Sequence, residues 1–243
     1  MKKINKKIII VMPAYNASKT IESVFNRIPK STLKKISKFI VVNDGSTDST
    51  TNALIRLKKK FDIELLVHNP NKGYGAAQKT GFKQALKDGA DIAVLLHSDG
   101  QYAPEIMHTL LTPLENGKAD LVQGSRILGG TAIKGGMPLY KYFGNRLLTF
   151  IENLAYGMNM AEYHSGYMLY SRKTLETIPF EKLSNTFHFD GETLLVAKKK
   201  NLRIAEVPIP TRYANEKSHL NALTYGWDVI KIIIRYKRGK YDF

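Results

Sequence analysis

Four apolar runs rich in branched side chains recur in the first hundred residues, and each stops abruptly at a turn of Asn, Asp and Gly. Ile8 to Val11 ends at Pro13-Ala14-Tyr15-Asn16-Ala17. Phe39 to Val42 ends at Asn43-Asp44-Gly45-Ser46-Thr47-Asp48. Ile63 to Val67 ends at Asn69-Pro70-Asn71-Lys72-Gly73-Tyr74-Gly75, and Ile92 to Leu96 ends at His97-Ser98-Asp99-Gly100-Gln101-Tyr102. Helical spacing of apolar residues separates the runs, as at Ala53, Leu54, Leu57 and Phe61. Short continuous apolar strands alternating with helices mean βαβ units and a sheet buried on both faces. The chain is therefore expected to be α/β, a mostly parallel, mixed sheet flanked by helices. In such a sheet ligands bind beyond the carboxyl ends of the strands. Four polar turns on one sheet edge define that crevice.

After Tyr102 the alternation loosens. Helices are expected from Pro104 to about Asn116, from about Tyr140 to Tyr156, and from Phe187-His188-Phe189-Asp190-Gly191-Glu192 to Lys200. Short strands fall at Leu121 to Gly124, Tyr167 to Tyr170 and Arg203 to Pro208. Gly129, Gly130, Gly135 and Gly136 mark a mobile loop and a candidate lid. We divide the chain into a domain over residues 1–218, with a nucleotide half to about 101 and an acceptor half beyond it, and a C-terminal helix over 219–243. In that helix Leu220, Leu223, Trp227, Ile230 and Ile234 share a face beside Lys231, Arg235 and Arg238. Two readings stand for it: a membrane-surface helix, or a final helix docked on the core.

Apolar residues make up 43% of 243, which excludes a disordered chain. Lys and Arg number 37 against 21 Asp and Glu, a net charge of +16. That excess calls for an acidic partner: phosphorylated substrates, an anionic membrane surface or nucleic acid. The absence of cysteine excludes disulfides and thiolate chemistry. The basic start is not followed by an apolar run long enough for a secretory signal, and no stretch approaches the ~20 apolar residues of a spanning helix. We therefore expect a cytoplasmic protein, whose basic excess also suits the anionic cytoplasmic membrane face.

Asp99 at a strand end is a hard oxygen ligand suited to Mg²⁺ or Mn²⁺, ions commonly shared with substrate phosphates. Asp-Gly is also an ordinary turn. Asp44 can accept from a base N–H or a ribose hydroxyl, or bond its own turn. Asp190 and Glu192 can serve as a base or sit at a helix start as caps.

Pro13-Ala14-Tyr15-Asn16, Val42-Asn43-Asp44-Gly45-Ser46-Thr47-Asp48, Asn71-Lys72-Gly73-Tyr74-Gly75, Asp99-Gly100-Gln101, Gly124-Ser125-Arg126 and Glu206-Val207-Pro208-Ile209 occur in this order. Together they resemble family 2 glycosyltransferases of the GT-A (Rossmann-like) fold. Within that family they are similar to polyprenyl-phosphate sugar transferases of the dolichyl-phosphate mannose synthase type. The resemblance covers roughly the first 220 residues. It implies an inverting, metal-dependent transfer from a UDP- or GDP-sugar to polyprenyl phosphate, with peripheral membrane contact and no nucleic-acid partner.

The resemblance also implies site residues. Pro13, Ala14, Tyr15, Asn16, Asp44, Lys72, Gly73, His97, Ser98 and Asp99 would line the nucleotide-sugar site. Asp99 and Gln101 would hold Mg²⁺ or Mn²⁺. Arg126 would meet phosphate oxygens, for which its bidentate fork is suited. Arg146, Arg212, Lys217 and Ser218 would meet the acceptor phosphate, and Asp99, Asp190 and Arg126 would carry the chemistry. This sequence departs from the pattern at His97, where a second carboxylate is usual, and at Met168, where an Arg is common. A transferase acting on a sugar hydroxyl is the alternative enzyme. A basic, non-catalytic nucleic-acid-binding protein is the alternative of another class, and a degenerate homologue is a third.

Overall fold

The structure is a computed structural model and describes residues 6–211 and 222–243. Arg212, Lys217, Ser218 and Leu220 lie outside the described residues, and the side chain of Leu223 is likewise not described.

The nucleotide half runs β1 (Ile8–Ala14), α1 (Ile21–Asn26), α2 (Lys30–Leu33), β2 (Ile36–Asp44), α3 (Thr50–Leu57), β3 (Ile63–His68), α4 (Tyr74–Lys87) and β4 (Ile92–Leu95). The second half adds α5 (Met107–Glu115), β5 (Leu121–Ser125), α6 (Leu139–Tyr156), β6 (Met168–Ser171), α7 (Arg172–Thr177), α8 (Phe189–Lys199), β7 (Ile204–Pro208) and α9 (Ala222–Lys237). The strands form one sheet in the order β3-β2-β1-β4-β6-β5-β7. All pairs are parallel except those of β6, which runs against both β4 and β5. The expected mixed sheet is thus present, with one reversed strand joining its two flanks.

Both faces of the sheet are covered, as the continuous apolar runs require. Ile8, Ile10 and Met12 of β1 enter one core with α1, α3 and α5. Ile9 and Val11 enter the other with α4, α8 and α9. Gly81 lets α4 lie close on β1, because a Cβ there would overlap the Val11 side chain.

Register places the strand ends on one edge. Ala14 pairs with Asn43 and Asp44 with His68, while Leu96 N–H donates to the Val11 carbonyl at 3.0 Å and carries the chain on past β4. The far flank is tied at its base by Asp120. Its buried carboxylate receives the N–H and Nε of Arg203 at 2.9 and 3.0 Å on one oxygen, and Nη2 at 2.9 Å on the other.

The short helices α2 and α7 were not expected from the sequence; each is only four to six residues long. The loop expected to be mobile, residues 128–138, is a series of closed turns. Its Ala132 and Met137 form a small core with Ile127. Gly135 packs so closely on Thr211 that a Cβ would strike its carbonyl.

The expected apolar face of the C-terminal helix is not the face that docks. Val229 and Ile232 are buried, Tyr236 packs on Tyr156 at 4.9 Å, and Tyr225 stacks on His188 at 4.5 Å. Trp227 and Ile234 point outward. Spacing by three and four marks a helical stripe but does not say whether that stripe turns inward. Among the described residues no helix is long and apolar enough to cross a membrane.

Candidate active site

The turns after the strands are stitched to one another. Asn16 adopts φ 49°, a left-handed conformation that Asn tolerates, and its Oδ1 accepts from Thr47 N–H at 2.9 Å. Ser98 Oγ donates to the Pro13 carbonyl at 2.9 Å, and Thr20 Oγ1 donates to the Ser98 carbonyl at 2.8 Å. Thr20 makes that bond rather than capping α1. Pro13, Ala14, Asn16 and Ser98 therefore meet at one corner, with the Tyr15 ring exposed at its rim.

Asp44 is buried beneath the turn after β3. Its Oδ1 takes the N–H of Lys72 at 2.9 Å and lies 2.6 Å from His68 Nδ1. Its Oδ2 takes the N–H of Gly73 at 2.9 Å. Asp44 does not bond its own turn; its carboxylate braces the turn after β3, which it brings beside the 43–48 turn. Gly73 and Gly75 let this turn pack on a neighbouring segment of backbone. Each faces the 184–185 backbone so closely that a Cβ would fall 2.6 Å from the Asn185 carbonyl or 2.5 Å from that of Ser184. The N–H of Gly75 donates to the Asn185 carbonyl at 2.8 Å. Lys72 extends into solvent.

A buried chain of hydrogen bonds joins the end of β4 to the start of α8. Tyr74 O–H donates to Asp190 Oδ2 at 2.7 Å, and Gln78 Nε2 donates to Asp190 Oδ1 at 3.1 Å. The same Tyr74 oxygen lies 2.7 Å from His97 Nε2. Tyr74 has one hydroxyl proton. With that proton on the bond to an ionised Asp190, the oxygen accepts from His97 Nε2–H. The tautomer with its proton on Nε2 carries its lone pair on Nδ1, 4.0 Å from Asp99 Oδ2. Burial raises the Asp190 pKa, opposed by the nearby His97 and by the Tyr74 and Gln78 hydrogen bonds. Burial, with Asp190 beside it, also lifts the Tyr74 phenol well above its ordinary value.

His97 is further boxed by Tyr102, edge-on at 4.8 Å, and by Gly166, where a Cβ would stand 2.7 Å from Nε2. Asp190 and Glu192 are both in the first turn of α8, yet neither caps it. Glu192 accepts from Ser184 N–H at 2.6 Å and from Tyr241 O–H at 2.7 Å.

Asp99 is half-exposed, and its Oδ1 accepts the N–H of Gln101 at 3.0 Å. Among the described residues no three His, Asp or Glu side chains converge on one point. Two donors do: an anionic oxygen and an imidazole nitrogen whose other ring atom is held by a hydroxyl. A separation of 4.0 Å suits one ion bonded at about 2.0–2.2 Å to each when the two stand on nearly opposite sides of it. This set fits a small divalent ion that takes its remaining ligands from phosphate and water. Gln101 contributes its backbone to Asp99.

Arg126, at the end of β5, is half-buried against Glu162, which is fully enclosed. Its N–H reaches Glu162 Oε2 at 2.8 Å, Nε reaches Oε1 at 3.0 Å, and Nη2 bonds both Oε1 and the His164 carbonyl. Burial pushes the Glu162 pKa up, but the Arg126 charge and hydrogen bonds prevail and hold it below the usual carboxylate range. Asn145 of α6 adds a donor at 2.8 Å. Glu206 accepts the N–H groups of Ala161 and Glu162 at 2.7 and 3.1 Å and so fixes where Glu162 sits. Arg146 lies on the outer side of α6, one residue beyond Asn145.

Tyr74, Gln78, Glu162 and Gly166 were not assigned roles from the sequence. The one available signal was Tyr74 itself, a bulky aromatic between two glycines at a helix start.

The sheet order, the single reversed strand and the strand-end cleft define a GT-A glycosyltransferase fold. Crystalline glucosyl-3-phosphoglycerate synthase from Mycobacterium tuberculosis superposes with a TM-score of 0.73 over 98% of this chain and 80% of that one, at 20% identity. The sequence profile of Glycosyl transferase family 2 matches residues 9–178. The UDP-N-acetylglucosamine–dolichyl-phosphate N-acetylglucosaminyltransferase of Methanococcus voltae is 32% identical over 250 residues, covering 97% of this chain and 98% of its own. The undecaprenyl-phosphate mannosyltransferase of Micrococcus luteus is 27% identical, covering 84% of this chain and 82% of its own. The chain belongs to glycosyl transferase family 2. It is an enzyme, a glycosyltransferase.

Proposed function

We propose that this enzyme transfers a sugar from a UDP-sugar to a polyprenyl phosphate with inversion at the sugar carbon. The observation that carries the acceptor class is the enclosure of Asp190. A hydroxyl acceptor must lose a proton and needs a base within reach of it. Asp190, the carboxylate placed for that task, is buried and holds Tyr74 and Gln78 instead. A phosphate monoester needs no base, because its second pKa is about 6 and it is largely a dianion at neutral pH. The Methanococcus voltae and Micrococcus luteus relatives, whose names specify dolichyl phosphate and undecaprenyl phosphate, support the same class. The UDP donor is supported by the first of those names and by the UDP bound in the Mycobacterium tuberculosis synthase, which also holds Mn²⁺.

In this reading the corner of Pro13, Ala14, Tyr15, Asn16, Asp44 and Ser98 frames the nucleoside, with Lys72 and Gly73 on the adjoining turn. Asp99 Oδ2 and His97 Nδ1 would hold Mg²⁺ or Mn²⁺, which offsets charge on the diphosphate. Tyr74 and Asp190 fix the His97 tautomer. An acceptor phosphate oxygen attacks the anomeric carbon from the face opposite the diphosphate. A new carbon–oxygen bond forms, the carbon–diphosphate bond breaks, and UDP leaves with the electron pair. Arg126, anchored by Glu162, is assigned to phosphate oxygens, and Arg146, Arg212, Lys217 and Ser218 to the acceptor side.

The test compares polyprenyl phosphate with the matching polyprenol in detergent, using UDP-sugars and Mn²⁺. Transfer is expected to the phosphate alone, and Asp190→Asn, assayed at saturating Mn²⁺ to offset any loosening of His97, is expected to keep activity within about tenfold, since no proton abstraction is lost. Transfer to the polyprenol or to a sugar hydroxyl, abolished in Asp190→Asn with donor binding intact, overturns the proposal.

A further inference from the structure

Helix α6 is built inside out. Its inward face carries Asn145, Thr149, Glu152 and Tyr156, all buried. Asn145 reaches Glu162, Thr149 Oγ1 bonds Asn145 Oδ1 at 3.2 Å, and Glu152 lies 3.2 Å from His164. Its outward face carries Leu139, Tyr140, Phe143, Leu147, Phe150 and Leu154, each 58–69% exposed. At about 100° per residue these six share an arc roughly a quarter-turn wide, opposite the polar set. A helix of a globular protein normally does the reverse. Six large apolar side chains on one open face mark a surface that meets something apolar.

The charge around the face says what. Between Ile127 and Gly157 the sole acidic residue is Glu152, which is buried, while Lys134, Lys141 and Arg146 are all cationic. The neighbouring α9 and the chain beyond it add Lys231, Arg235, Lys237, Arg238 and Lys240, with Trp227 exposed beside them. Asp228 is paired with Lys231, and Asp242 with Lys199. Two copies meeting through this face would bring like charges together. An anionic lipid surface complements it, and hydrocarbon asks for no hydrogen-bond partners from the stripe. At 18 residues α6 is about 27 Å long and suited to lie in the interface plane.

We infer that the outward face of α6 docks on an anionic bilayer, burying Leu139 to Leu154 among the headgroups while the inward face holds Glu162 and, through it, Arg126. The inference goes beyond the reaction proposed above and does not depend on it.

The test is co-sedimentation of the full chain with phosphatidylcholine vesicles, with and without phosphatidylglycerol, alongside its size in solution. Wild type is expected to pellet with anionic vesicles and roughly tenfold less with neutral ones. Leu147→Glu and Phe150→Glu are expected to stay in the supernatant. Ile55→Glu, exposed on α3 away from this face, is expected to pellet like wild type. Undiminished pelleting of the α6 variants overturns the inference. So does a wild-type dimer that Phe150→Glu splits, with no vesicle binding, which would make the face an interface between copies. Transfer to a short, water-soluble prenyl phosphate reads the reaction without vesicles, so its failure is separate from failure of the docking face.

Discussion

His97 stands where a carboxylate was expected, and the residue that makes sense of it is Tyr74. One hydroxyl proton cannot serve both Asp190 and His97, so its direction selects the imidazole tautomer and leaves Nδ1 facing Asp99. Orientation of a ligand by a group behind it commonly governs metal affinity by about 10–100-fold. Tyr74→Phe keeps the ring and removes the oxygen. We expect Mn²⁺ affinity, measured by calorimetry in the presence of UDP, to fall by about that factor, alongside some loss of stability because the buried Asp190 carboxylate gives up a donor. Unchanged affinity would detach Tyr74 from the metal corner. Because the readout is metal affinity and not turnover alone, a purely structural role for Tyr74 would not produce it.

At the scale of elements, the ends of β5 and β7 are joined by Asp120 and Arg203. The Arg203 hydrogen bonds, with its charge, hold the Asp120 carboxyl well below the usual range. A carboxyl depressed on folding contributes stability above its unfolded pKa of about 4, and that contribution disappears as pH falls through the lower folded value. Urea midpoints of the wild type should therefore decline as pH drops below about 4, and Asp120→Asn, weaker at neutral pH, should show a shallower decline. Parallel curves for the two proteins would remove this pair from the acid sensitivity of the sheet. The prediction concerns slopes, since Arg203 is half-exposed and water screens its charge.

For the whole molecule, a donor fragment that binds only the folded state raises apparent stability by about 2.7 kcal/mol at a hundredfold excess over its Kd. In a chain of this size that is roughly 5–10 °C. UDP with Mn²⁺ is expected to give such a rise and UDP alone a smaller one, with the metal-dependent part lost in Asp99→Ala. A shift indifferent to Mn²⁺ or to Asp99 would misplace the metal.

Much of the architecture was legible at this scale because buried parallel strands leave continuous apolar runs and their turns leave Asn, Asp and Gly. What the sequence concealed were facing relations. Spacing along α9 could not say that Trp227 points outward and Val229 inward. Nothing local to Asp190 says that a tyrosine over a hundred residues earlier closes over it. Glu162 carries no motif; it is recognisable only once β5 and the 157–167 segment lie side by side around Arg126.

The reversed strand β6 has one further implication, for synthesis. It separates β4 from β5 in the sheet, yet it is made after both. The open edge of β4, Ile92–Leu95, therefore waits for a partner that leaves the ribosome more than seventy residues later. At about 5–20 residues per second that is roughly 4–15 s during which an apolar edge can pair with another chain. The same strand that unites the two flanks of the finished enzyme thus sets an interval in which the nascent chain is exposed to aggregation.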